Sequence, residues 1–144
     1  MRDPYPTVFR RYLGSLIDGL LMLGAVIGGG FLIGDVGPRF TWLRGVWLGF
    51  ILLGYEPLFT SLSATVGQRL MGFRVRRHAD STRRIPIPSA YLRYAVKLFL
   101  GVISFFTMSF SRQQRAIHDI AVGSVVITWP PVMIPGEEPI GAAA

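Results

Sequence analysis

The chain has 144 residues, of which 51% are hydrophobic and only 16% are charged. Its length predicts a single domain, since about 150 residues per domain is usual. Its charged fraction is well below the roughly 25% of soluble domains. The sequence has no cysteine, which excludes disulfide scaffolds, cysteine-ligated zinc and thiol catalysis. A formal net charge of +7 on such an apolar chain points first to a membrane.

Three apolar stretches predict membrane-spanning helices, at about residues 13–33, 42–59 and 91–110. The first carries one charge, Asp18, and about 20 such residues are enough to cross a bilayer. A short connection containing Gly37 and Pro38 joins it to the second, so we expect these two helices to be antiparallel neighbours. In the third stretch the uncharged part after Lys97 has only 13 residues. That stretch therefore either spans the membrane or folds back within it.

A cleaved signal peptide is the competing interpretation of the first apolar stretch. The stretch is longer than the core of a typical signal peptide, contains an internal Asp and lacks a small-residue cleavage site. These features favour a helix that is retained in the protein.

The remaining segments complete the predicted organisation of the chain. Residues 1–8 form an N-terminal tail, residues 9–129 form the membrane domain, and residues 130–144, rich in Pro, Gly and Ala, predict a disordered C-terminal tail. The segments GFRVR and GSVVI can pair as short strands if the third stretch folds back. The predicted fold class is therefore an all-α integral membrane protein with three hydrophobic helices, a basic loop and this candidate strand pair.

The distribution of arginines predicts the orientation of the helices. Three arginines precede the first helix and six lie in the loop of residues 60–89, whereas only Arg39 and Arg44 lie near the first connection. By the positive-inside rule, the N-terminus and the 60–89 loop are cytoplasmic. The expected location is a plasma membrane of the bacterial inner-membrane type. The nine residues that set this orientation are Arg2, Arg10, Arg11, Arg69, Arg74, Arg76, Arg77, Arg83 and Arg84.

The same basic loop predicts a lipid partner. Of the 15 basic residues in the chain, 14 are arginines, which suit phosphate-bearing ligands. Beside a membrane helix, anionic headgroups are the simplest such ligand, at about 1 kcal/mol per basic residue near the surface. The loop lacks the interleaved aromatic residues of single-strand nucleic-acid binders, so no nucleic-acid partner is expected.

Five charged side chains lie within the predicted helices or, for Arg11, directly before the first one, at similar depths near the cytoplasmic side. They are Arg11, Asp18, Glu56, Arg93 and Lys97. An ionisable group at the centre of a membrane helix costs about 2.5–3.5 kcal/mol on insertion scales, so each is a candidate site residue. In one interpretation the two acids bind a cation or relay protons, and the bases set their charge state. In the other, the charges form structural ion pairs or extend to the interface.

Pairs of glycines four residues apart form a second pattern within the first two helices. Gly24 and Gly28 share one face of the first helix, and Gly45 and Gly49 share one face of the second. Small residues at this spacing allow helices to approach closely. They form either a homo-oligomer interface or the packing surface between the two helices of one chain.

Motifs for other chemistry are absent from the sequence. The triple glycine at residues 28–30 lacks the Gly-Lys-Ser/Thr of a phosphate-binding loop. His78 and His118 have no companions at metal-ligand spacing, and no serine lies in a G-x-S-x-G motif. We therefore expect neither an enzyme nor a metal or cofactor site.

Four segments, in order along residues 9–127, together resemble the RDD family of small membrane proteins. The first is RYLGSLID, from Arg11 to Asp18. The second, ATVGQRLMGFRV, is similar to the family loop A-T-x-G-K-x-x-x-G-x-x-V at Thr65, Gly67 and Gly72. Arg93, Tyr94 and Lys97 resemble the third segment, and RAIHDIAVGSVV, which contains His118 and Asp119, resembles the closing H-D-x-x-A-G-T-x-V-V.

The chain departs from the family pattern at two points. Gln68, followed by Arg69, stands where the family has Lys, so a cationic role at that position is in doubt. Val122-Gly123-Ser124 stands where Ala-Gly-Thr is usual. The resemblance implies that Asp119 joins Arg11 and Asp18 in the signature. It also implies transport, since cation/proton antiport is suggested for some members of the family.

These observations together predict transport of ions or small solutes. Asp18, with Glu56 and Asp119, would exchange protons or cations near the inner leaflet. Three helices do not easily enclose a pathway, so we expect a homo-oligomer. The alternative is a non-catalytic scaffold that holds partner membrane proteins through its glycine faces and its basic loop.

Overall fold

A computed structural model describes residues 5–34, 37–100, 103 and 115–129 of the chain. These residues form a mostly helical fold with one small sheet. The helices are α1 (Val8–Gly34), α2 (Trp42–Gly49), α3 (Tyr55–Leu62), α4 (Val66–Leu70), α5 (Ile87–Leu100) and α6 (Ile117–Ala121). A short 3-10 turn, Pro38–Phe40, precedes α2. The strands are β1 (Phe73–Arg77) and β2 (Ser124–Thr128).

Two helices are long and apolar enough to cross a membrane. The first is α1, with 27 residues, and the second runs from Trp42 to Leu62 through α2, the π-helical turn Phe50–Gly54 and α3. In their most apolar 18-residue windows only 11% and 33% of the residues are buried inside the protein. Their apolar side chains therefore face outwards, as they do in helices covered by lipid. These helices agree with the predicted first two stretches, except that α1 begins at Val8 rather than residue 13.

The third predicted helix is described only in its first part. Helix α5 covers Ile87–Leu100 and buries Ala90, Arg93 and Tyr94, whereas Phe99 is 91% exposed. Residues 101–102 and 104–114 lie outside the described part of the chain, as do residues 1–4 and 130–144. Whether the third stretch spans or folds back, and whether the C-terminal tail is disordered, stay predictions.

The predicted strand pair is confirmed. Strands β1 and β2 pair antiparallel, with Val75 opposite Val126 at the centre of the register. Each strand follows a glycine in the left-handed region, Gly72 at φ 66° and Gly123 at φ 62°. Only glycine adopts this conformation at no steric cost, so these positions set where each strand begins. One face of the sheet packs on Ile85 and on Ala90 of α5, which forms the core of this end of the protein.

The two long helices pack through a glycine that the sequence pattern did not select. The indole of Trp47 lies against Gly29, and its Nε1 donates a hydrogen bond of 3.0 Å to the carbonyl oxygen of Ala25. A Cβ at Gly29 would overlap this indole. The contact between α1 and α2 therefore lies at Gly29, where the missing side chain leaves room for the Trp47 indole.

The four predicted glycines do not pack against another element of the described part of the chain. A Cβ atom on any of them would meet no atom of another element within 4 Å; they are Gly24, Gly28, Gly45 and Gly49. The interpretation of these glycines as the packing surface between the two helices is therefore wrong. Their interpretation as an interface with another molecule stays a prediction.

The variant Gly29→Ala tests this assignment. The added methyl group must displace the Trp47 indole, and overpacking of this kind costs about 1–3 kcal/mol. Gly28→Ala is the matched control, because open space surrounds that position and alanine favours the helix by up to about 1 kcal/mol. We expect thermal unfolding in detergent to occur at a lower temperature for Gly29→Ala only. Equal unfolding temperatures for the two variants would contradict this packing.

Candidate functional site

A close backbone contact brings α1 and α4 together. A Cβ at Gly67 would overlap the carbonyl oxygen of Gly14, and a Cβ at Gly14 would lie 2.8 Å from Cζ of Phe73. Both positions therefore require glycine, because any side chain would push α1 away from α4. The contact places Asp18, one turn further along α1, beside the first turn of α4.

Three uncharged groups hold the Asp18 carboxylate. The Thr65 hydroxyl donates to Oδ2 at 2.5 Å, and the Gly67 backbone N–H donates to Oδ1 at 2.8 Å. The Tyr55 hydroxyl also donates to Oδ1, at 3.0 Å. Among the residues described, no Lys, Arg or His nitrogen forms a salt bridge with this carboxylate. Asp18 thus accepts from the Gly67 N–H in the first turn of α4, where a negative charge is favourable.

The residue that departs from the family pattern, Gln68, completes this structure. Thr65 and Gln68 form a capping box: the Gln68 backbone N–H donates to the Thr65 hydroxyl oxygen, and the Gln68 side-chain oxygen accepts from the Thr65 N–H. The Gln68 amide also donates to the Thr60 hydroxyl at 3.2 Å. A neutral amide therefore satisfies this buried position without a cation.

The carboxylate of Asp119 lies at the centre of a second cluster. It is fully buried and forms a salt bridge with the Arg11 guanidinium. Nε of Arg93 donates to its Oδ1 at 2.9 Å. The Ala116 backbone N–H donates to Oδ2 at 3.2 Å, and the Ser124 hydroxyl lies 3.3 Å from Oδ1. Asp119 therefore links α1, α5 and the start of β2.

The cluster continues from Arg93 to a second acid. Nη1 of Arg93 lies 3.9 Å from Oε1 of Glu56, and the Lys97 ammonium donates to the same oxygen at 2.5 Å. The resulting charge chain comprises Arg11, Asp119, Arg93, Glu56 and Lys97. It contains three cations and two carboxylates, all on buried or largely buried side chains.

The charges around Asp119 determine the protonation states in α6. Burial alone would raise the pKa of the Asp119 carboxyl, but the attraction of Arg11 and Arg93 outweighs it, and this pKa lies well below its usual range. Burial lowers the pKa of His118 to about 3, and the positive charge of Arg93 acts in the same direction. At neutral pH, Asp119 is therefore ionised and His118 is neutral.

A cavity of about 530 Å³ opens between α1, the second long helix and α5. Its walls are mainly apolar, with Met22, Val26 and Leu52 among the lining residues. Glu56 and Lys97 also line it, so the end of the charge chain faces this space. The volume lies within the range of about 300–1,000 Å³ that is usual for small-ligand sites.

The structure separates the predicted site residues into two groups. Five of the six predicted charged residues form the charge chain, and Asp18 lies in its own hydrogen-bonded cluster with Thr65 and Gly67. Arg11, which shares a face of α1 with Asp18, pairs with Asp119 instead. In the loop motif, Arg69 is exposed and Gly72 forms the turn before β1.

Sequence reasoning did not identify two further residues of these clusters. Tyr55 donates to Asp18, and Ser124 contacts Asp119. Tyr55 directly precedes Glu56 within an apolar helix, which is a signal for a buried polar group. Ser124 stands at the Thr position of the closing motif, but its contact with Asp119 depends on how β2 follows α6, which the sequence does not give.

The fold and these two clusters define a class of protein: a mostly helical chain with two membrane-length helices, consistent with a small membrane protein. The model of the RDD family matches residues 5–123, and the chain belongs to that family. The resemblance over residues 9–127 is thereby confirmed. No curated protein and no solved structure matches the chain.

The lowered pKa values predict how stability depends on pH. Unfolded His accepts a proton near pH 6.5, whereas folded His118 does so only near pH 3, so the folded state loses stability as the pH falls between these values. The limiting slope is about 1.4 kcal/mol per pH unit. The stability that Asp119 contributes is present above about pH 3.9 and is lost below it.

We therefore expect the free energy of unfolding to fall as the pH is lowered from 6.5 to 5, and His118→Gln to reduce this slope. His78→Gln is the matched control, because His78 is exposed and should leave the slope unchanged. Denaturant titrations in detergent at several pH values measure both slopes. Equal slopes for wild type and His118→Gln would contradict the assignment.

Proposed function

We propose that this RDD-family chain is an integral membrane protein that transports ions or small solutes in exchange for protons. One observation carries the proposal: the Glu56–Lys97 ion pair lines a mainly apolar cavity between three helices. A charged pair in such a place is costly, and ionisable groups within membrane helices commonly mark ion and proton pathways.

The exchange chemistry is assigned to Glu56. Its Oε1 accepts from Lys97 at 2.5 Å, while the nearest Arg93 nitrogen is 3.9 Å away. A proton or a small cation that binds Oε1 competes with Lys97 for this oxygen. Lys97 is then released from its partner, and the return of its ammonium group expels the bound proton or cation. The loss of the Glu56–Lys97 ion pair can shift the three helices around the cavity, because each of them carries part of the charge chain or of the cavity wall.

The two acids of the signature act as positioning residues in this proposal. Asp119 is held between two guanidinium groups and stays ionised, so it keeps Arg93 close to Glu56. Asp18 is occupied by three hydrogen-bond donors and fixes α4 against α1. Of the three acids that the sequence suggested as exchange groups, only Glu56 lines the cavity.

The proposal includes an orientation and an assembly. The arginines of the 60–89 loop favour a cytoplasmic location for this loop and the N-terminus, in a plasma membrane of the bacterial inner-membrane type. Two long helices and α5 do not enclose a pathway, so transport requires an oligomer. The open faces at Gly24 and Gly28 are suited to contact between copies of the chain.

A scaffold that binds partner membrane proteins is the second candidate function. It is favoured by the same open glycine faces, which the chain itself leaves uncovered. This candidate predicts no proton movement, and it predicts that Gly24→Leu disrupts assembly while Glu56→Gln does not.

Flux measurements in proteoliposomes test the transport proposal. The full chain is reconstituted with a pH-sensitive dye inside the vesicles, and a Na⁺ or K⁺ gradient is imposed. We expect wild type to move protons and Glu56→Gln to reduce the rate at least about tenfold, the effect of losing roughly 1.4 kcal/mol of stabilisation. Asp80→Asn is the matched control, because it removes one acid from an exposed site on the loop and should leave the flux unchanged.

The possible outcomes separate the candidates. If folded wild type shows no flux under either gradient, transport of these ions is wrong and the scaffold is favoured. If flux persists in Glu56→Gln but is lost in folded Asp18→Asn, transport stands and the assignment of Glu56 is wrong.

A further inference from the structure

The arginines of strand β1 form a group that the proposed transport chemistry does not use. Side chains alternate along a strand, so Arg74 and Arg76 share one face of the sheet, while Phe73 and Val75 pack into the core on the other. In the antiparallel register Arg74 lies opposite Ile127 and Arg76 opposite Val125. These two side chains therefore lie side by side on a face that they share with Val125 and Ile127, and of these four residues only Arg74 is partly exposed.

Both arginines contain buried donors without an acceptor. The Nε atoms of Arg74 and Arg76 are shielded from solvent and have no hydrogen-bond partner. Arg76 is only 2% exposed, and its one hydrogen bond runs from Nη1 to the carbonyl oxygen of Val75 at 3.3 Å. A buried charge without a partner is costly, and an unsatisfied group of this kind calls for a ligand or an ion.

No acid compensates these charges. Within the described residues, none of Arg69, Arg74, Arg76 and Arg84 forms a salt bridge, and the only ion pair in this loop joins Arg83 to Asp80. Burial lowers the pKa of both Arg74 and Arg76, and the positive charges of neighbouring arginines lower it further. The four arginines thus form a positive cluster that lacks an anion.

An aromatic side chain borders this cluster. The guanidinium carbon of Arg74 lies 3.5 Å from the centre of the Trp129 ring, directly after β2. Arg74 is half-buried, so the cluster is open to the surroundings on this side. Tryptophan is enriched at the membrane–water interface, where one end of the ring is apolar and the other is hydrated.

We propose that Arg74 and Arg76, with Arg69 and Arg84, bind the phosphate of an anionic phospholipid headgroup. The planar fork of arginine matches a phosphate and forms paired, charge-assisted hydrogen bonds with it. A phospholipid is favoured over a soluble phosphate because β1 lies in the chain between the membrane-length helix Trp42–Leu62 and α5, and because Arg74 contacts Trp129, a residue type enriched at the membrane–water interface.

Calorimetric titration of the full chain in a neutral detergent tests this site. The probes are dioctanoyl phosphatidylglycerol, dioctanoyl phosphatidylcholine and inorganic phosphate. We expect the phosphatidylglycerol to bind most tightly and Arg76→Met to weaken it at least about tenfold, the loss of roughly 1.4 kcal/mol. Arg77→Met is the matched control, because it removes the same charge from the same strand, but from an exposed position on the opposite face. The affinity of this variant for phosphatidylglycerol should differ from that of wild type by less than about twofold.

A stability measurement separates ligand binding from a structural role for Arg76. Without anionic lipid, Arg76→Met should unfold at the same temperature as wild type or a higher one, since an uncompensated buried charge has been replaced by an apolar side chain. Added phosphatidylglycerol should raise the unfolding temperature of wild type and not that of Arg76→Met.

Three results would overturn the proposal. Equal phosphatidylglycerol affinities for Arg76→Met and Arg77→Met would show that the buried donors are not used. A lower unfolding temperature for lipid-free Arg76→Met would indicate a structural role for the side chain. Inorganic phosphate that binds as tightly as the lipid would assign the site to a soluble anion instead.

Discussion

The carboxylate of Asp119 holds two arginine side chains inside the protein. Arg11 reaches it from α1, 108 positions earlier in the chain, and Arg93 reaches it from α5. Removing the carboxylate from a buried ion pair is strongly destabilising, because it leaves an uncompensated charge, so α6 stabilises the burial of both arginines. Because β2 follows α6 directly, the same interaction also sets β2 beside β1 and links the two ends of the described chain.

The carboxylates of Asp119 and Asp18, which both lie in the sequence motifs, are stabilised by different interactions. Asp119 is balanced by charge, whereas Asp18 is balanced by the Thr65 hydroxyl, the Tyr55 hydroxyl and the Gly67 N–H. Each of these two carboxylates is held by at least three donors. Glu56 differs from both, because it and its partner Lys97 line the cavity at one end of the charge chain. In the proposed mechanism, Glu56 can release Lys97 while the ion pairs of Asp119 with Arg11 and Arg93 stay intact.

Much of this fold follows from patterns that act over short distances. Long apolar runs predicted the two membrane-length helices, and the segments GFRVR and GSVVI were the predicted strand pair. Partners distant in the sequence were harder to assign. Helical spacing put Arg11 and Asp18 on one face of α1, yet it carries no information about Asp119. Glycine spacing likewise selected Gly28, whereas the bulk of Trp47 places the close contact at Gly29. Whether the Nε atoms of Arg74 and Arg76 find an acceptor depends on all the residues packed around them, so no local sequence pattern reveals that they have none.

A double-mutant cycle between Arg11 and Asp119 tests the central claim most directly. The free energy of unfolding is measured in mixed micelles for wild type, Arg11→Ala, Asp119→Ala and the double variant, with Arg11 and Asp18 as the comparison pair. A buried ion pair predicts a coupling energy of about 2 kcal/mol or more for Arg11 with Asp119. It also predicts additivity within about 0.5 kcal/mol for Arg11 with Asp18. Additive effects in the first cycle would contradict the account.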